Sequence, residues 1–172
     1  MKIKRKYIKK LAVDNNLKLL IETGTYFGQS TKYFAKYFER VYTIELSEEL
    51  FNYTKKHYSA SNIQFYQGNS SEKLKEIIND LATSATFFLD AHASGGVTVS
   101  GEIVSPVRIE LGILEKFKFL RNSLIIIDDA RGFDGTNSYP SYTEIQLWAK
   151  KSNMGRVYIA LDMIVIEPVI VQ

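Results

Sequence analysis

The chain has 172 residues, of which 45% are apolar and 24% charged, and its formal net charge at pH 7 is +3. Such values are typical of a globular protein with a sizeable core, so a single domain over residues 1–172 is predicted. The absence of cysteine excludes disulfides and thiolate zinc sites and agrees with a reducing cytoplasm.

A basic segment, residues 1–16, precedes the first predicted strand. Six of the first ten residues are Lys or Arg, which predicts the solvated face of a first helix or a tail that contacts anionic partners. The segment lacks the apolar core of a signal peptide. The apolar C-terminal segment is too short, and too interrupted by charge and proline, to cross a membrane. We therefore expect a cytoplasmic protein without a membrane span.

Apolar runs then alternate with helix-like stretches. Strands are predicted at 17–23, 40–46, 62–68, 85–91 and 123–130, and helices at 27–38, 47–58, 70–81, 105–120 and 141–151. Such alternation is typical of a parallel sheet with helices on both faces. The segment GRVYIALDMIVIEP predicts two more strands joined by a tight turn near Asp162. The predicted fold is α/β: a Rossmann-like, doubly wound, mostly parallel sheet of about seven strands with an antiparallel C-terminal hairpin.

Each of the five strands of the parallel part ends in acidic or polar residues. Ligands of open parallel sheets bind at the C-terminal strand ends, near the point where the strand order reverses. A polar turn explains any one of these ends, but the whole set favours a ligand site. The ends carry Glu22, Thr23 and Gly24; Glu45; Gly68, Asn69 and Ser70; Asp90 and the nearby His92; and Asp128 and Asp129.

The turn after the first strand does not fit a dinucleotide. It has Gly24 and Gly28 but no Gly-x-Gly-x-x-Gly fingerprint, and Glu22 puts a carboxylate where a pyrophosphate would bind. Glu45 suits a ribose diol, which donates two hydrogen bonds to one carboxylate. Asn69 could accept a hydrogen bond from the exocyclic amine of adenine. A nucleoside that carries a positive group and no phosphate describes S-adenosylmethionine.

Four segments carry a resemblance to a known family: ETGTYFGQST, YTIELS, FFLDAHASGG and IIIDDARGFD. They are similar to the class I S-adenosylmethionine-dependent methyltransferases, and within these to small bacterial metal-dependent sugar O-methyltransferases of the macrocin type. The resemblance covers residues 17–168. It implies that Glu22, Thr23, Gly24 and Gly28 contact the methionine part of the cofactor. It also implies that Glu45 contacts the ribose and that Asn69 and Ser70 contact the adenine. Asp90 is a further implied cofactor contact. The family usually has Asp at position 69, but an amide oxygen can also accept from an amine.

Three carboxylates are expected at the ends of two neighbouring strands, Asp90 on one and Asp128 and Asp129 on the other. Carboxylates so close repel each other unless protons or a cation offset their charge. Mg²⁺ or Mn²⁺ takes oxygen ligands and keeps positions open for substrate hydroxyls. The related sugar O-methyltransferases use three aspartates at corresponding strand ends, which implies a metal here. In the alternative, Asp129 caps the following turn and only two acids face the site.

His92 lies two residues after Asp90, and both are predicted at the catalytic centre. The histidine could deprotonate an acceptor hydroxyl or act as a fourth metal ligand. The predicted activity is metal-assisted O-methylation of a sugar or glycan. Alternatives are a catechol-type or other small molecule, a nucleic acid, and a degenerate cofactor-binding protein without catalysis. The segment LDAHA lacks the Asn/Asp-Pro-Pro-aromatic motif, which argues against base methylation. We expect an acceptor pocket that is open or completed by a second subunit.

Overall fold

The structure is a computed structural model that describes residues 2–58, 60–90, 106–136 and 138–169. These ranges contain six α-helices and seven strands. The helices are α1 (Lys2–Asp14), α2 (Gln29–Phe34), α3 (Glu48–His57), α4 (Ser70–Asp80), α5 (Pro106–Leu114) and α6 (Tyr142–Lys151). The strands are β1 (Leu19–Thr23), β2 (Arg40–Glu45), β3 (Ile63–Gln67), β4 (Thr86–Leu89), β5 (Leu124–Asp128), β6 (Val157–Ala160) and β7 (Met163–Ile166).

The seven strands form one sheet in the order β3-β2-β1-β4-β5-β7-β6. Strands β1 to β5 pair in parallel, and β7 pairs antiparallel with both β5 and β6. The predicted doubly wound sheet and its antiparallel hairpin are therefore confirmed. The strand order reverses between β1 and β4, which are neighbours although β2 and β3 lie between them in the sequence. Ligands of such sheets bind outside the carboxyl ends of the strands at this point.

Two hydrophobic layers cover the sheet, because successive strand residues point to opposite faces. On one face, Ile21 and Phe87 belong to a cluster that includes buried residues of α4, α5 and α6. On the other face, Leu20 and Phe88 pack in a cluster with buried residues of α1 and α2. The basic N-terminal segment is thus a helix, and its apolar side is part of the core. In the described ranges no helix is both long enough and apolar enough to span a membrane.

Two helices end earlier than the sequence predicts. Helix α2 stops at Phe34 rather than near residue 38, because the amide of Asn62 donates to the carbonyls of Ala35 and Phe38 and satisfies them outside a helix. Helix α5 stops at Leu114 rather than near residue 120, and the chain turns so that Phe117 enters the core. Tertiary contacts decide both ends.

Candidate functional site

The turn between β1 and α2 depends on two glycines with positive φ. Gly24 has φ 84° and Gly28 has φ 69°, a backbone region that side chains disfavour. A Cβ on Gly28 would also lie 2.6 Å from a ring carbon of Tyr58 and 3.3 Å from the methyl group of Thr54. The space for a side chain at Gly28 is therefore taken by residues at the end of α3, and the turn is held close to that helix.

We expect Gly28→Ala to destabilise the protein. Both the positive φ and the contact with the Tyr58 ring oppose a methyl group, and we expect a loss of about 1–3 kcal/mol in the free energy of unfolding. Urea denaturation measures this loss. Gly112→Ala is the control, because a Cβ at that position in α5 would meet no atom of the described residues within 4 Å outside the backbone of its own helix. Equal stability of the Gly28 variant and the wild type would contradict the close packing of this turn.

Glu22 lies beneath the glycine turn and is 1% exposed. Its Oε2 accepts hydrogen bonds from the hydroxyls of Thr31 at 2.5 Å and Thr43 at 2.8 Å. Burial raises the pKa of Glu22 to about 7, although these two hydroxyl donors act to lower it. The carboxyl group thus connects β1 with β2 and α2 under the turn. We therefore expect Glu22 to affect the methionine part of a cofactor only indirectly, by fixing the position of the turn.

Glu45 ends β2 beside this turn and is 7% exposed. Its Oε2 accepts from the backbone N–H of Tyr26 at 2.7 Å, and its Oε1 accepts from the N–H of Ser47 at 2.9 Å. Each carboxylate oxygen can accept a second hydrogen bond. The two amides fix the orientation of the carboxylate and leave acceptor capacity on both oxygens, which fits a vicinal diol such as that of ribose.

Asn69 is the N-cap of α4, directly after β3. Its Oδ1 accepts from the N–H of Ser71 at 2.9 Å and from the Ser71 hydroxyl at 2.8 Å. Because both lone pairs of this oxygen are used, the predicted acceptance of an adenine amine would have to displace one of these bonds. Ser70 follows as the first helical residue and lies at the same edge of the sheet.

Glu110 on α5 is a buried acid that the sequence analysis did not single out. The side chain is fully buried, and neither carboxyl oxygen makes a hydrogen bond of normal geometry with the residues that the structure describes. Burial raises the pKa of Glu110 to about 7, and the nearby hydroxyls of Ser70 and Thr23 lower it by a smaller amount. The sequence carried a signal: with Val107, Leu111 and Leu114, Glu110 completes the buried stripe of this helix.

The three predicted carboxylates do share one neighbourhood at the ends of β4 and β5. Burial and the negative charges of Asp128, Glu22 and Asp129 raise the pKa of Asp90 to about 8, while Lys4 lowers it. Asp128 is 3% exposed, and its Oδ1 also accepts from the N–H of Asp129. Asp129 precedes a short 3-10 turn without capping it through its side chain, so the capping contact of the alternative interpretation is not formed.

A lysine from the N-terminal helix completes this cluster. The Nζ of Lys4 lies 2.5 Å from Asp128 Oδ1, 3.4 Å from Asp129 Oδ1 and 3.7 Å from Asp162 Oδ2. Arg131 also pairs with Asp129 and Asp162. We call Asp128, Asp129 and Asp162 the acidic centre. Neither Lys4 nor Asp162 was predicted to be part of the site.

The predicted ligands Asp90, Asp128 and Asp129 do not fit the predicted metal ion as the structure arranges them. Mg²⁺ needs oxygen ligands at about 2.1 Å, but the Lys4 ammonium already lies against Asp128 Oδ1. Among the residues that the structure describes, no group of three or more His, Cys, Asp or Glu side chains could hold a metal. His92, the predicted base or fourth ligand, lies outside the described residues.

Comparison with known proteins identifies the architecture. No family model and no curated protein matches the sequence. An O-methyltransferase from Bacillus cereus in complex with SAH is 19% identical, with a TM-score of 0.63 over 96% of this chain and 80% of that chain. A SAH-bound methyltransferase from Podospora anserina is 17% identical, with a TM-score of 0.62 over 97% and 78% of the two chains.

An O-methyltransferase from Streptomyces achromogenes involved in tomaymycin synthesis, in complex with SAM, is 15% identical, with a TM-score of 0.62 over 95% of this chain and 78% of that chain. At these identities the likeness establishes the fold. The chain has the Rossmann-like fold of the class I methyltransferases.

Proposed function

We propose that the protein is an S-adenosylmethionine-dependent methyltransferase that methylates a hydroxyl oxygen of a sugar or glycan. The observation that carries the proposal is Glu45, whose carboxylate is fixed by the amides of Tyr26 and Ser47 at the end of β2. It lies next to the Gly24 turn, as a ribose-binding acid would. The structural likeness to SAM-bound and SAH-bound methyltransferases supports the same cofactor.

The chain's own residues take distinct parts in this reaction. S-adenosylmethionine supplies a sulfonium methyl group, and its transfer to a hydroxyl oxygen leaves S-adenosylhomocysteine and one proton. The Gly24 turn holds the methionine part, Glu45 holds the ribose, and Asn69 with Ser70 faces the adenine. Asp90 lies at the switch point between β1 and β4, where the acceptor oxygen meets the methyl group. His92 is the predicted proton acceptor.

Replacing Glu45 by Gln tests the cofactor site. The change keeps the length of the side chain but removes its charge and replaces one acceptor oxygen by a donor. We expect a loss of about 1–3 kcal/mol, or about 5- to 150-fold in the dissociation constant for S-adenosylhomocysteine. Isothermal titration calorimetry measures it. The matched control is Glu48→Gln, an exposed acid three residues further on. Unchanged affinity in the Glu45 variant would contradict a ribose contact.

The choice of a sugar acceptor rests on the polarity of the reacting edge and on the family resemblance. The ends of β4 and β5 bring Asp90, Asp128 and Asp129 together, and carboxyl oxygens suit an acceptor that offers several hydroxyl donors. A screen of glycans, nucleotide sugars, catechols and oligonucleotides, with transfer of a labelled methyl group as the readout, tests this choice. Transfer only to catechols or only to oligonucleotides would overturn the sugar acceptor and leave the cofactor site intact.

A nucleic-acid acceptor is the second candidate, and one feature of the surface favours it. A groove between α1 and α2 combines positive charge with aromatic rings, a combination that suits phosphate and base stacking. Its lining residues are Lys6, Lys9, Lys10, Val13, Asp14, Tyr33 and Tyr37. Methyl transfer to oligonucleotides that disappears in a Lys6→Ala, Lys10→Ala double variant would support this candidate over the glycan.

A further inference from the structure

Lys4 is a basic residue on the buried side of its helix. It shares the stripe of α1 that carries Ile8 and Leu11, spaced by four and seven residues, and these two side chains pack in the core. The side chain of Lys4 is only 14% exposed. It is therefore directed along the sheet toward the ends of the strands, unlike the exposed lysines of the same helix.

The Lys4 ammonium has three N–H donors, and three oxygens lie within reach. They are Asp128 Oδ1 at 2.5 Å, Asp129 Oδ1 at 3.4 Å and the backbone carbonyl of Asp162 at 3.4 Å. Burial lowers the pKa of Lys4, but the hydrogen bond to Asp128 and the charges of the acidic centre outweigh burial and raise that pKa above its usual value. At neutral pH the side chain is thus an ammonium ion that is surrounded by oxygen atoms.

This set of oxygens has the chemistry of a hard-cation site. Carboxylates and a backbone carbonyl are the ligands that divalent ions prefer. Three carboxylates without a cation would repel each other, and Asp128 is nearly excluded from water. A nitrogen cation on a helix provides the charge that a free ion would otherwise provide, and it does so only while α1 is docked on the sheet.

We propose that Lys4 is the resident cation of the acidic centre and takes the position where the sequence predicts a divalent metal ion. Lys4 is then a positioning residue: it holds Asp128 and Asp129 in place at the edge where the acceptor would bind. The consequence is that the wild-type protein does not take up a divalent ion here, and that removal of the ammonium opens the centre to one.

Mn²⁺ binding to the full-length protein, followed by electron paramagnetic resonance without cofactor or acceptor, tests the proposal. We expect no saturable binding at millimolar concentrations by the wild type or by Lys6→Met, an exposed lysine on the same helix. Lys4→Met should bind one Mn²⁺ at least tenfold more tightly than the wild type, because Asp128 loses its cation and the position beside Asp129 and Asp162, which Arg131 still contacts, becomes vacant. Adding Asp128→Asn to Lys4→Met should abolish that binding.

Two results would overturn the proposal. One is stoichiometric Mn²⁺ binding by the wild type that Asp128→Asn removes, which would mean that a metal displaces Lys4. The other is a folded Lys4→Met that binds Mn²⁺ no better than the wild type. If Lys4→Met does not fold, Lys4→Gln replaces it, because its amide keeps a donor to Asp128 without the charge. None of these results depends on the proposed function, since no methyl donor is present.

Discussion

Glu110→Gln should remove a large part of the pH dependence of stability. Burial raises the pKa of this carboxyl group from 4.5 to about 7 in the folded protein. Between these two values the unfolded chain loses its proton while the folded protein keeps it, so the free energy of unfolding falls as pH rises. Below pH 4.5 Glu110 is protonated in both states, so its burial does not lower the free energy of unfolding. Above about pH 7 the folded protein has also lost the proton, and the loss in the free energy of unfolding reaches its full value of about 3 kcal/mol.

The test compares urea denaturation of the wild type and Glu110→Gln at pH 4.5 and pH 8. Any pH-independent effect of the amide cancels when the two pH values are compared. From pH 4.5 to pH 8 the free energy of unfolding of the variant should therefore rise by about 1–3 kcal/mol relative to that of the wild type. Glu22 contributes in the same direction and is left intact in both proteins. Glu72→Gln, an exposed acid on α4, is the control and should follow the wild type. If the free energy of unfolding changed with pH equally in Glu110→Gln and the wild type, the raised pKa of the buried Glu110 would be contradicted.

His92→Ala should lower the rate of methyl transfer by about 10²–10⁴, the usual contribution of a general base. An imidazole with an ordinary pKa near 6.5 accepts a proton well at neutral pH, and a methyl group cannot replace it. Steady-state kinetics with a saturating acceptor measures the change, and the affinity for S-adenosylhomocysteine should stay the same. An undiminished rate would assign the proton to another group, and Asp90 at the same edge would become the candidate.

The other histidine of the chain provides the matched control for that experiment. His57 is exposed on α3, stacks on the ring of Tyr53 and donates a hydrogen bond from Nδ1 to the Tyr53 carbonyl. It lies at the end of a helix rather than at a strand end, so His57→Ala should keep the full rate. Loss of activity in both variants would indicate a general effect of histidine removal on folding.

The sheet could be predicted because its strands are short, apolar and separated by helical patterns. Runs such as 85–91 and 123–130 are apolar almost throughout, as buried parallel strands are, and the strand ends followed directly from them. The structure places Glu22, Glu45 and Asp128 at three of these ends. The ends of α2 and α5 could not be predicted, because contacts from distant residues such as Asn62 decide them.

The partners of the acidic residues were harder to predict than their positions. Lys4 and Asp128 are 124 residues apart, and a basic run is usually a solvated face. The helical periodicity nevertheless indicated both residues, because Lys4 and Glu110 each lie on the apolar stripe of their helix. A charged residue at such a position must find a partner, stay neutral or destabilise the core. Polar residues on apolar stripes thus mark both positions.

We propose that the edge of the sheet between β1 and β4 binds S-adenosylmethionine. Calorimetric titration of the wild-type protein with S-adenosylhomocysteine and, separately, with NAD tests it most directly, because both ligands carry an adenosine and only NAD carries a pyrophosphate. We predict binding of one S-adenosylhomocysteine per chain and no heat from NAD, since Glu22 lies beneath the glycine turn and the pyrophosphate fingerprint is absent. Binding of NAD without binding of S-adenosylhomocysteine would contradict S-adenosylmethionine as the cofactor.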